Sequence, residues 1–188
     1  MGRLTRRGLL VTALSAAALP LRAQAKFALL EEPYTHAIMR HALAPGTGDP
    51  SQFTLHDCAT QRNLSDRGRA QARAIGAALR DGGARFDAIL SSQWCRCLET
   101  AGLLSLGLVT EEPLINSFFQ DRAKRGPQTR GLTEKLHAMP PEQTLMLVTH
   151  QVNVTALLNT SVSSGETFLF RAHPGETPEV LERFLIPA

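Results

Sequence analysis

Short apolar runs alternate along the chain with stretches whose apolar positions recur every three or four residues, the patterns of strands and helices respectively. "YTHAIMRH" (34–41) predicts a first strand. "SDRGRAQARAIGAALRDGG" (65–83) predicts a helix that Ser65 caps and Gly82-Gly83 end, with Ala72, Ile75, Ala78 and Leu79 on one face. "FDAILSS" (86–92) predicts a second strand, followed by a helix from about Trp94 to Leu104. A short strand over 108–115 and a helix over 130–138 come next. "TLMLVTH" (144–150) predicts a strand covered on both faces, since its apolar residues run without alternation, and "QVNVTALLN" opens a further helix. Stretches 166–173 and 180–187 predict late strands forming an edge hairpin. Strands alternating with helices predict an α/β domain, a three-layer α/β/α sandwich around a mainly parallel sheet.

The segment 42–63 breaks this rhythm. It is long and rich in Gly, Pro and Thr, and a connection of that length is often functional. The first 25 residues break it differently, with a basic start, an apolar run from Gly8 to Leu21 and the ending "AQA". That layout predicts an export signal, and Arg6-Arg7 ahead of the apolar run predicts the twin-arginine type. The run is shorter than the ~20 residues a spanning helix needs, so no stable membrane insertion is expected after cleavage. Residues 26–188 then form a single domain, periplasmic or otherwise exported. Removing the four arginines of the leader turns the net charge of +3 into −1, so the basic balance is no argument for a nucleic-acid partner.

There are three cysteines, Cys58, Cys95 and Cys97. An exported chain can bridge Cys58 to either of the others and leave one free thiol; three reduced, buried thiols are the alternative.

Three predicted strand ends carry chemistry. The first ends in Arg40-His41, the second in Ser91-Ser92 with Arg96 in the turn that follows, and that of 144–150 in Thr149-His150. In open α/β sheets ligands bind beyond the carboxyl ends of the strands. Two guanidiniums beside two imidazoles suit a phosphoryl group: arginine's planar fork matches phosphate oxygens, and a neutral imidazole can attack phosphorus. Ion pairs and structural histidines are the plainer readings of each residue alone. A zinc site on His41 and His150 is disfavoured by the adjacent arginines and the lack of a third ligand at matching spacing, so neither metal nor other cofactor is expected.

The blocks "MRHA", "NLSDRGRAQA", "SSQWCRCLETA" and "LVTHQVNVTAL", in this order over roughly residues 34–170, resemble the histidine phosphatase (phosphoglycerate mutase-like) superfamily. The resemblance implies that fold and a phosphatase acting on a small-molecule phosphoester. It implies His41 as the nucleophile that becomes phosphohistidine, Arg40 and Arg96 as phosphate-binding arginines, and His150 as the second histidine of the phosphate pocket. Gly68 and Gln71 match a structural helix motif. The alternatives are a protein phosphohistidine phosphatase, or a phosphate-ligand binding protein without turnover.

The sequence departs from that pattern in three places. Ala42 stands where the family often has Gly. Gln151 follows the second histidine, with Asn153 two further on, and either could meet substrate. In "EEPLINSFFQDR" Ser117 stands in the place of the family's acidic proton donor, which leaves Asp121 as a shifted donor ahead of Glu111 and Glu112.

Overall fold

The structure is a computed structural model that describes residues 27–188; the leader predicted over 1–25 lies outside the described residues. Six strands form one sheet: β1 (Thr35–Arg40), β2 (Ala88–Ser91), β3 (Val109–Glu111), β4 (Leu145–Thr149), β5 (Thr167–Arg171) and β6 (Glu179–Phe184). Their spatial order is β3-β2-β4-β1-β5-β6. The first four are mutually parallel, while β5 runs antiparallel to β1 and pairs with β6 as the expected edge hairpin. The helices are α1 (Asp66–Asp81), α2 (Cys95–Leu104), α3 (Arg125–His137) and α4 (Gln151–Leu158).

Alternation along the strands divides the interior into two cores. Met39, Met146, Val148 and Leu169 face one side, where Ile75 and Leu79 of α1 and Ala101 and Leu104 of α2 cover them. Ile38, Leu147, Phe168 and Phe170 face the other, under Leu132 and Leu136 of α3 and Val154 and Leu157 of α4. Burial on both faces explains why the β4 sequence shows no polar alternation.

Helix α1 starts as its sequence predicts: the Ser65 side chain accepts a bond from the Gly68 amide at 3.1 Å. Gly68 is required by contact, since a Cβ there would lie 2.0 Å from the Leu43 carbonyl oxygen. Gln71 on the same face accepts from the Leu43 amide (2.9 Å) and donates to the carbonyls of Ser164 (3.0 Å) and Ile186 (2.7 Å). The helix motif thus fixes the backbone two residues beyond His41. Helix α3 begins five residues before the predicted 130, because Gly126 and Pro127 fall within its first turn, where proline's missing N–H costs nothing.

His36 is a fully buried polar residue of β1, and burial lowers its pKa to about 4. The unfolded chain therefore binds more protons than the folded one between pH 6.5 and about 4, and stability falls as pH drops through that window. At pH 5 the contribution of His36 is about 2 kcal/mol relative to neutral pH. Urea denaturation at pH 7 and pH 5 should show a smaller loss for His36→Leu than for the unsubstituted chain; an equal loss would rule the assignment out.

Candidate active site

β1 and β4 are central neighbours, with Arg40 opposite Thr149, so His41 and His150 leave the sheet side by side at its carboxyl edge. The His41 amide donates to the Thr149 carbonyl at 2.8 Å. The two imidazole rings lie 5.6 Å apart, edge to face. Arg96 reaches them from the first turn of α2, and Thr100 ties that turn to the Ala42 amide at 3.1 Å. His41, His150 and Arg96 are almost completely buried. A cavity of about 360 Å³ opens over them, large enough for a small ligand.

Hydrogen bonding fixes the protons. Nδ1 of His41 lies 2.8 Å from the Ala42 carbonyl oxygen, which can only accept, so Nδ1 carries the hydrogen and Nε2 keeps a lone pair. Burial, aided by Arg96 and Arg40, pushes the His41 pKa well below its ordinary value and keeps the ring neutral. His150 is held neutral in the same way, by burial first and then by Arg96. Its Nδ1 accepts from Nη2 of Arg96 (3.3 Å), so its Nε2–H donates to Ser92 Oγ (2.7 Å), which in turn donates to Asn116 Oδ1 (3.1 Å). Both His150 nitrogens are thereby engaged, and the ring supports Arg96.

Asp49, from the long connection after β1, binds Arg96 end-on. Its Oδ1 accepts from Nη1 at 2.8 Å and its Oδ2 from Nη2 at 3.2 Å. The Arg62 amide (3.1 Å) and Trp94 Nε1 (3.1 Å) complete the carboxylate's partners. The carboxylate is only 6 % exposed. Held by this end, Arg96 keeps its Nε–H buried and without a partner; the Nε–H of Arg40 is likewise orphaned. Buried donors without acceptors are costly, and here they belong to two residues that line one cavity.

Arg40, His41, Arg96, His150, Ser117 and Gln151 all line this cavity. Two expected residues do not. Asp121 is not part of the wall; its side chain is 53 % exposed and pairs with Lys124 at 3.4 Å. Asn153 is buried behind the site, where its side-chain amide donates to the Asn116 carbonyl at 2.9 Å. Glu111 accepts from Gln93, and Glu112 is buried beneath Lys135. The acid in the cavity wall is Asp49. Sequence reading did not single out Asp49, Arg62 or the Trp94 side chain. The only sequence signal for Asp49 was its place in the Gly-rich stretch after the strand, where Gly46 and Gly48 adopt positive φ.

A disulfide joins Cys58 to Cys95, leaving Cys97 free and buried. Burial pushes the Cys97 thiol up to about 12, so it is no nucleophile near neutral pH. The bridge fastens the long connection to the residue preceding Arg96. The Gln61 side chain adds a bond from the Cys95 amide at 3.0 Å. Among the described residues no group of three His, Cys, Asp or Glu side chains could hold a metal ion, and no helix is long and apolar enough to cross a membrane.

Parallel strands and the first turn of α2 bring two histidines and two arginines to one cavity, a donor set whose geometry matches the oxygens of a phosphoryl group. Residues 37–121, which include Arg40, His41 and Arg96, match the family model described as histidine phosphatase superfamily (branch 1). The chain is thus similar to this superfamily over 85 of its 188 residues. No curated protein matches it. Its fold is similar to that of the protein histidine phosphatase SixA complexed with tungstate (14 % identity, 80 % of this chain and 96 % of that one, TM-score 0.59). Similar too are a putative alpha-ribazole-5'-P phosphatase from Escherichia coli (16 %, 82 % and 96 %, 0.56) and a mycobacterial glucosyl-3-phosphoglycerate phosphatase (17 %, 82 % and 99 %, 0.55).

Proposed function

We propose that the protein is an exported phosphatase that hydrolyses a phosphomonoester through a phosphohistidine at His41. The observation that carries this is the His41 ring itself: neutral, with Nδ1–H spent on Ala42, it keeps an Nε2 lone pair beside a cavity that the guanidinium-bearing residues Arg40 and Arg96 also line. Nε2 attacks phosphorus, the P–N bond forms and the bond to the ester oxygen breaks. Fixed guanidinium donors stabilise the charge spread over the equatorial oxygens. Water then attacks phosphorus, the P–N bond breaks, and inorganic phosphate leaves with Nε2 free again. The leader pattern supports export, and the Cys58–Cys95 bridge suits an oxidising compartment.

The acid in the wall, Asp49, spends both oxygens on Arg96, Trp94 and the Arg62 amide, so neither is free to meet a leaving group. Leaving groups that depart without a proton are therefore favoured. This also supports a second reading, a phosphoramidate substrate such as a phosphohistidine side chain, in line with the likeness to SixA. Purified protein lacking the leader should hydrolyse p-nitrophenyl phosphate much faster than an alkyl phosphate, and Asp121→Asn should leave the ratio of the two rates as it is. Turnover of neither ester, with inorganic phosphate still raising Tm, would instead identify a binding protein.

A further inference from the structure

Two cysteines that the phosphoryl chemistry does not use are joined beside it. Cys95 is the first residue of α2 and directly precedes Arg96. Cys58 lies in the connection after β1, nine residues beyond Asp49. The bridge therefore ties the backbone that carries the Asp49 carboxylate to the helix start that carries its guanidinium partner.

The connection is lightly anchored otherwise. Between Ala44 and Gln61 it gives the core Phe53 and Leu55, both partly exposed. Polar contacts add to these. The Gln61 side chain accepts from the Cys95 amide (3.0 Å) and donates to the carbonyls of Thr54 (3.0 Å) and Leu55 (2.8 Å), and the Asn63 side chain donates to the Cys58 carbonyl (2.6 Å). A segment with few buried apolar contacts opens locally at low cost once its crosslink is removed.

The bridge is also open to solvent. Cys58 is exposed, and both half-cystines line a surface depression with Asn63, Arg69, Leu98 and Glu99. A thiolate can reach Cys58 Sγ from this side. The leaving sulfur is then Cys95, whose thiolate the amides that begin α2 stabilise.

Resting on the phosphatase reading above, we infer that the Cys58–Cys95 bridge is a site of thiol–disulfide exchange that sets the activity of the phosphoryl site, with a dithiol as its reductant. One thiolate of the dithiol attacks Cys58 Sγ, the S–S bond breaks and Cys95 leaves as a thiolate. The second thiol loses its proton and attacks its partner sulfur in the mixed disulfide, so that Cys58 leaves with the electron pair and takes up a proton. Both cysteines are reduced, and the dithiol departs as a disulfide. The connection loosens, Asp49 holds Arg96 for less of the time, and the guanidinium loses its position. Oxidation reverses each change, so the chain is fully active in an oxidising compartment and slow in a reducing one.

The test assays the mature protein before and after dithiothreitol, with alkylation confirming that the bridge has opened. Hydrolysis of p-nitrophenyl phosphate should slow about tenfold in kcat, the cost of a displaced positioning group. Inorganic phosphate should bind at least about fivefold more tightly, since Asp49 competes with it for Arg96. Oxidised glutathione should restore both values. A Cys58→Ser/Cys95→Ser double variant should match the reduced protein and ignore dithiothreitol. A bridge that merely stiffened the fold would not tighten phosphate binding. Either value unchanged after confirmed reduction overturns the inference, as does a loss that oxidised glutathione cannot reverse. An oxidised protein inactive on the ester would overturn the phosphatase reading instead, and phosphate affinity would still decide whether the bridge governs the site.

Discussion

His41→Ala should abolish turnover of p-nitrophenyl phosphate, by a factor of at least about 10⁴, while the fold remains. The size follows from the role: no other side chain in the cavity offers a neutral nitrogen with an unshared lone pair, since both nitrogens of His150 are engaged and the arginines are always protonated. Removing the imidazole deletes the covalent route rather than weakening it. The arginine clamp survives, so inorganic phosphate should still raise the variant's Tm. Steady-state rates and thermal denaturation with and without phosphate check both halves. Near-normal turnover would exclude the mechanism.

Asp49 carries the second large effect. Asp49→Ala leaves the guanidinium of Arg96, 3 % exposed, without its counter-charge. Breaking a buried pair from one side costs about 3–5 kcal/mol. Phosphate should recover part of this loss, because it can occupy the fork that the carboxylate leaves. The milder Asp49→Asn keeps the side chain's shape but not its charge. Its kcat should fall by about a hundredfold, since a small displacement of a positioned group is that costly, while inorganic phosphate inhibits it more strongly than it inhibits the unsubstituted enzyme. A carboxylate that merely stiffened the loop would not tighten product binding. Equal inhibition constants would therefore remove Asp49 from the site's electrostatics.

Much of the site was legible because strand ends are legible. The apolar runs at 34–41 and 144–150 stop at Arg-His and Thr-His, and parallel pairing of β1 with β4 brings those endings together. Arg96 was legible for the same reason, one turn beyond β2. Asp49 was not, because a connection without periodicity gives no face on which to place a side chain. Its position depends on Trp94 and Arg96, which are distant in sequence. Reading the acid from the family's usual region led to Asp121, and the structure turns that residue outward to Lys124.

The cysteines show the same limit. Sequence left Cys95 and Cys97 equivalent as partners for Cys58. Two residues apart on α2 they point to different faces, Cys95 toward the long connection and Cys97 into the sheet. Once the helix is in place, only one of them can meet Cys58.

In the proposed mechanism phosphoryl passes through His41. Rapid quenching during turnover of labelled p-nitrophenyl phosphate, followed by peptide mapping, tests it directly. The expected result is an acid-labile, alkali-stable phosphate on His41 that forms and decays fast enough to carry the steady-state rate, and that His41→Ala lacks. Full turnover with no covalent phosphate, or with the label on another residue, would contradict it.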